Sequence, residues 1–207
     1  MKLWRDFYDL LMPDLPGCPT AAADSALRES SIAFCEQSLA WQTEHLPVFV
    51  MGGIAEYAYS PPEGAAVHAI IHAVLDGEEI EPFACEKNIT IKNLRRQTGK
   101  PRYVLGGPSS LTLVPTPDSN GVLTITVALK PSAISTGIDD ALFHEYREAI
   151  IHGSMARLML SPKKPYTNIQ LAAYHQQQFI IKTGAAGVRV ARSYARAPFQ
   201  TAILRRG

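Results

Sequence analysis

The apolar residues of this chain recur with two different periods, and the change between them constrains the fold more than any other feature. From about Thr20 to Gln42 they recur every three or four residues. Ala26, Leu27, Ser30, Ala33, Phe34, Gln37 and Trp41 form a narrow helical stripe with two aromatic anchors, and Arg28, Glu29, Glu36 and Glu44 fall mainly off it. From Pro47 to about Lys130 the texture is that of strands and turns. Ile54 to Tyr59 alternates. Ala66 to Leu75 reads as a long strand ending at Asp76-Gly77, a strong hairpin signal because both residues tolerate positive φ. Glu79 to Phe83 is its return strand. Arg102 to Leu105 and Ser110 to Val114 pair across Gly106-Gly107-Pro108, Pro115 to Gly121 is a turn cluster, and Val122 to Leu129 is a β-branched strand. Residues 86–98 predict a short helix ending before Gly99.

The helical period returns at Asp139-Asp140, whose carboxylates suit the free amides of a helix start. Leu142, Tyr146, Ala149, Ile150, Met155 and Leu158 carry that helix to about Leu160, and Ser161 to Pro165 breaks it. Asn168 opens a last helix reaching about Ala195. Its predicted inward side is Leu171, Ala172, Tyr174, His175, Phe179, Ala186 and Val190. Gly184 and Gly187 sit inside it at a cost of about 1 kcal/mol each relative to Ala, which points to close helix contact or a bend. At the other end Leu3, Trp4, Phe7, Leu10 and Leu11 make a short amphipathic segment that stops at Pro13 to Gly17.

Neither helical part is large enough to bury a core alone. The expected fold is therefore α+β: a helical bundle formed by the N- and C-terminal parts, residues 1–46 and 131–196, with an inserted antiparallel β-sandwich or barrel-like block at 47–130. Residues 197–207 are expected to be an extended C-terminal tail.

The 207 residues carry a formal net charge of only +1, but this is a cancellation. Residues 149–207 hold no Asp or Glu and nine of the 20 Lys and Arg, so they stand at +9; residues 1–148 hold all 19 acids and stand at −8. A chain with one acidic and one basic part is suited to meeting another surface, including another copy of itself. With 46% hydrophobic and 19% charged residues the composition is that of an ordinary globular chain, which excludes collagen, coiled coil and wholesale disorder. No apolar run approaches the roughly 20 residues needed to span a bilayer, so no membrane role is expected. Cys18, Cys35 and Cys85 are odd in number and widely spaced, as free thiols in a reducing compartment would be. The charged start Met1 to Asp9 does not read as a signal peptide, and synthesis in a cytoplasm is the expectation.

Catalytic candidates are few. His152-Gly153-Ser154-Met155-Ala156 lies mid-helix, where a nucleophile elbow cannot form. There is no phosphate-cradling glycine loop. His68 and His72 on a strand lie about 13 Å apart at roughly 3.3 Å per residue, too far to share a metal. His144, Glu145 and Glu148 read as a solvated or interface face, and Asp139-Asp140 as a cap. No enzyme, cofactor or metal is expected. The basic C-terminal part allows three readings: a solvated helix face, nucleic-acid binding through Arg189, Arg192 and Arg196, or docking onto an acidic partner. The last adds Phe199, Ile203, Leu204, Arg205 and Arg206 of the tail, an apolar-basic segment suited to ordering on a partner.

An ordered set of short strings runs along almost the whole chain: Leu-Pro-Gly-Cys-Pro (15–19), Ala-Leu-Arg-Glu-Ser-Ser-Ile-Ala-Phe-Cys (26–35) and Trp41. Pro-Pro-Glu-Gly (61–64), Leu-Asp-Gly (75–77), Gly-Lys-Pro-Arg-Tyr (99–103) and Leu-Val-Pro-Thr-Pro (113–117) follow. Thr-Ile-Thr-Val-Ala-Leu-Lys-Pro (124–131), Tyr-Arg-Glu-Ala-Ile-Ile-His-Gly (146–153), Leu-Met-Leu-Ser-Pro (158–162) and Tyr-Thr-Asn (166–168) complete it. This order resembles the head-to-tail adaptor (connector) proteins of tailed bacteriophages, in particular the short-tailed type. The resemblance implies a non-enzymatic virion protein at the head-tail junction, assembled as a ring, usually of twelve copies. Such a ring docks on the portal protein, passes DNA without sequence specificity and receives the tail nozzle, tube or other tail proteins. The alternative from the residues alone is a small regulatory nucleic-acid-binding protein that uses the basic C-terminal helix.

Overall fold

The computed structural model describes residues 1–83, 94–95 and 97–192. The architecture is mixed α+β. The chain divides into two units: residues 1–40 with the chain from 139 onward, and residues 41–138.

The first unit opens with three short turns, Trp4–Phe7, Tyr8–Leu11 and Met12–Asp14. They bury Trp4, Phe7, Leu11 and Leu15, and Phe7 meets Phe143 edge-on with ring centroids 4.8 Å apart. Helix α1 (Thr20–Ser38) buries Ala23, Ala26, Leu27, Ser30, Phe34 and Cys35. It ends at Leu39, which takes a left-handed φ of 53°, so the helix stops short of the predicted Gln42 and Trp41 is not on it. Burial pushes the Cys35 thiol up to about 12, which keeps it protonated, and Cys18 is likewise a buried free thiol. Cys85 lies outside the described residues.

Helix α2 (Asp140–Met159) and helix α3 (Ile169–Ala191) pack on each other and on α1. Asp139 caps α2, its Oδ1 accepting from the Ala141 amide at 2.9 Å. Asp139→Ala is expected to cost about 1 kcal/mol, seen as a lower denaturation midpoint with unchanged slope. The glycine in α2 has a steric cause. A Cβ on Gly153 would stand 2.8 Å from the Phe179 ring and 3.0 Å from Ser30 Cβ, where the three helices converge. Next to it Ser154 donates to its own helix at Ile150 O, 2.8 Å.

Helix α3 departs from the sequence reading. Ala172, Phe179, Thr183 and Ala186 are buried, but Leu171 and Tyr174, expected inward or nearly so, are about half exposed. The buried stripe is narrow because small residues bring α3 close to its neighbours. A Cβ on Gly187, for example, would already touch the Ser38 backbone.

The second unit is one eight-stranded sheet. Its strands are β1 (Gln42–Glu44), β2 (Val48–Val50), β3 (Glu56–Ala58), β4 (Ala65–Leu75), β5 (Glu78–Pro82), β6 (Tyr103–Gly106), β7 (Ser110–Val114) and β8 (Gly121–Pro131). The order is β1-β8-β4-β5-β6-β7-β3, with β2 also on β8. The period-two pattern of β8 sends Leu123, Ile125, Val127 and Leu129 into the core beside Val104, Leu111 and Leu113. Asp76 and Gly77 turn the chain from β4 to β5 with φ of 50° and 84°, the geometry that Asp-Gly supplies.

Two features differ from the expectation of a purely antiparallel block with edges at 47 and 130. The β5–β6 pair is parallel, Glu81 facing Tyr103, because a long connection rather than a tight turn joins the two strands. The expected helix at 86–98 falls in that connection and mostly outside the described residues. The unit also takes in residues 41–46: Gln42–Glu44 pairs with Thr126–Ala128, and Trp41 O accepts from the Leu129 amide at 2.7 Å.

Candidate partner-docking surface

The C-terminal end of α3, with Arg192 as its cap, holds the described residues of the predicted partner contact. Of the eight residues predicted to meet a partner, Arg189 and Arg192 lie there, and Arg196, Phe199, Ile203, Leu204, Arg205 and Arg206 lie outside the described residues. Arg189 is not a free cation. Its Nη1 stands 3.5 Å from Glu145 Oε2 on α2, and its guanidinium lies over the Tyr146 ring at 5.8 Å. Two turns earlier Lys182 donates to Glu148 Oε2 at 2.7 Å, and the lysine holds that carboxyl below the usual carboxylate range. The acids of α2 thus answer the bases of α3 along a shallow groove of about 170 Å³. Exposed ion pairs of this kind contribute little stability, but they aim the side chains. The face that a nucleic-acid reading requires is therefore partly neutralised within the chain, since Arg189 already has a carboxylate.

The remaining candidates resolve as local structure. His72 Nε2 sits 3.3 Å from Glu79 Oε1 across the β4–β5 pair, and His68 stands apart from it on β4. Glu145 and Glu148 serve the ion pairs just described, and His144 packs edge-on against Phe143. Among the described residues no group of three or more His, Cys, Asp or Glu could hold a metal ion. Among them, too, no helix is long and apolar enough to cross a membrane.

Three features go beyond the sequence reading. First, Leu46, Phe49, Met51, Ile54 and Val122 form an exposed apolar edge on the β unit, with Phe49 opposite Val122 in register and 77% exposed. The apolar run after Pro47 was its one available trace. Second, a cavity of about 540 Å³ opens beside β4, lined by Tyr59, His68, Ile70, Phe83 and Gly107. The Tyr59 hydroxyl donates to Gly107 O at 2.6 Å along its wall. Third, His152 of α2 and His175 of α3 meet with Nδ1 atoms 2.8 Å apart, so one ring donates and the other accepts.

Burial lowers both imidazoles below the ordinary histidine range. The other histidine and Lys182 lower His152 further, against Glu148, while Asp14 works against the shift at His175. The fold thus favours the neutral pair. This stability is fully present above the unfolded-chain value of about 6.5 and is lost as pH falls from there through the lowered folded values. A melting temperature that drops between pH 7.5 and 5, with a shallower drop in His175→Asn, is the expected result of a thermal scan.

A family model described as SU10 adaptor protein covers residues 6–202. No curated protein matches the chain.

Proposed function

The chain belongs to the SU10 adaptor protein family, a family of phage head-tail adaptors, and on that premise we propose that it is the subunit of the structural ring joining portal to tail. The observation that carries the reading is the extent of the match, which takes in both units from residue 6 to residue 202. In this reading the helical unit is a bundle closed by the two ends of the chain, and the β unit is an insertion in it. About twelve copies form a ring in the virion at the head-tail junction. The ring docks on the portal protein, lengthens the channel through which DNA passes without sequence specificity, and receives the tail proteins.

The portal contact falls to Arg189, Arg192 and Arg196 and to the tail residues Phe199, Ile203, Leu204, Arg205 and Arg206. Charge supports this assignment. The chain from residue 149 onward has no acid, and the carboxylates that neutralise Arg189 and Lys182 come from outside it, on α2, so the segment as a whole suits an acidic partner. The β unit faces the tail machinery. Its exposed apolar edge at Leu46, Phe49 and Met51 suits a protein contact. The role asks for no catalysis.

The test is to mix the purified protein with the portal protein encoded in the same phage genome and to measure mass and image the product. A second ring stacked on the portal is the expected product. Two proteins that stay separate at micromolar concentration would overturn the reading.

A further inference from the structure

The outward side of α3 has a composition that its own chain does not explain. Lys182 and Arg189 are the only Lys or Arg of the helix, no Asp or Glu occurs in it, and both cations are turned to Glu148 and Glu145 of α2. The opposite side is therefore free of charge. Along it Tyr174, Gln177, Ile181, Gly184 and Val188 follow one another at steps of three, four, three and four. This is the spacing of a seam that meets another helix. Tyr174 is 51% exposed, Ile181 55% and Val188 46%. An isolated surface leucine or isoleucine needs no explanation, but three large apolar groups in one helical register do.

Gly184 supplies an independent observation. Gly153 is required by Phe179 and Ser30, and Gly187 packs against Ser38, but a Cβ on Gly184 would meet nothing within 4 Å. A glycine inside a helix costs about 1 kcal/mol relative to alanine, and here nothing among the described residues compensates. Close approach of a second backbone would compensate, and the seam places Gly184 at the centre of such an approach.

We infer that this face of α3, centred on Gly184, is the contact between adjacent copies of the chain, received on the α1 side of the next copy. The inference rests on the adaptor reading, which calls for a ring and hence for two different complementary faces on each copy. Charge selects the receiving side. Residues 1–40 hold six acids against three bases, whereas residues 139–192, without the tail assigned to the portal, hold seven bases against four acids. Neighbouring copies then meet basic segment to acidic segment around an uncharged helical seam. The outer side of α2, by contrast, carries Glu145, Arg147 and Glu148 and offers no such seam. On α1 the exposed Ser25 and Glu29, one turn apart, mark the receiving side.

The test uses the full chain with the portal protein of the same phage, and reads the number of adaptor copies per portal ring by mass as adaptor is titrated in. Wild type is expected to fill cooperatively. Ile181→Glu and Gly184→Leu are expected to keep the wild-type melting temperature or to exceed it, because both sites are exposed and leucine is the better helix former. Both variants should lose cooperative filling, with at least a tenfold higher concentration needed for half occupancy. Ser25→Arg should show the same loss.

Wild-type filling by Ile181→Glu and Gly184→Leu would overturn the α3 contact while leaving the adaptor reading in place. Filling by Ser25→Arg alone would overturn α1 as the receiving side. If wild type itself does not bind portal, the adaptor reading falls and this contact falls with it.

Discussion

Phe34→Ala is expected to unfold the helical unit under conditions in which the wild-type chain is fully folded. Phe34 is completely buried on α1, and its ring lies 5.0 Å from that of Tyr146 on α2. Truncating a buried phenylalanine costs about 3–5 kcal/mol, through lost transfer energy and the cavity left behind. A whole domain is stable by only about 5–15 kcal/mol, so the loss takes a large share of the margin. Little relaxation can refill the space, because Gly153 already packs α2 so closely on Phe179 and Ser30 that a Cβ would not fit there. The β unit has its own core at Leu111, Leu123, Ile125 and Leu129, so its transition should stay near the wild-type midpoint. Two separated denaturant transitions, the helical one shifted down, are the expected observation by circular dichroism. Phe34→Leu should shift it less. A single unshifted transition in Phe34→Ala would show that the helices do not depend on this contact.

Removal of residues 197–207 is expected to abolish capture by portal while leaving circular dichroism and melting of the described units unchanged. The segment carries Phe199, Ile203 and Leu204, and apolar anchors at the centre of an interface are worth about 2 kcal/mol or more each. Three such losses exceed a thousandfold in affinity at 1.4 kcal/mol per factor of ten, even with incomplete additivity. The arginines act differently. Arg205→Gln with Arg206→Gln should slow association and flatten its salt dependence, with a smaller change in dissociation. Surface-plasmon traces at two salt concentrations separate the two effects. Undiminished binding of the truncated chain would move the portal contact elsewhere on the molecule.

These expectations depend on how the sequence encodes each part. The α2 stripe, the Asp76-Gly77 turn and the alternation of β8 are local signals, each complete within a few residues, and the structure has all three. Strands β1 and β2 are three residues each, too short to show a period. They exist because the eleven-residue β8 offers an edge for them to pair with. The parallel β5–β6 pair depends on where a distant strand returns, which no window of residues states. The outward turn of Leu171 and Tyr174 has a similar origin, since the width of a buried stripe is set by how closely the neighbouring helices approach. At the candidate site, the base-only C-terminal segment was plain in the sequence. Its partial neutralisation was not, because Glu145 and Glu148 precede Arg189 and Lys182 by 44 and 34 positions.

The division of the chain also sets a timetable. Residues 1–40 belong with residues beyond 138, and the 98 residues of the β unit lie between them. At about 5–20 residues per second, α1 leaves the ribosome roughly 5–20 seconds before the helices that cover it are made. During that interval Leu27 and Phe34 have no α2 to bury them, while the β unit is being completed and can fold before α2 appears. The stripe on α1 suits such a delay, being built largely from alanine and serine around those two large side chains. A chain whose first segment must wait for its last is best made with little in that first segment for other proteins to stick to.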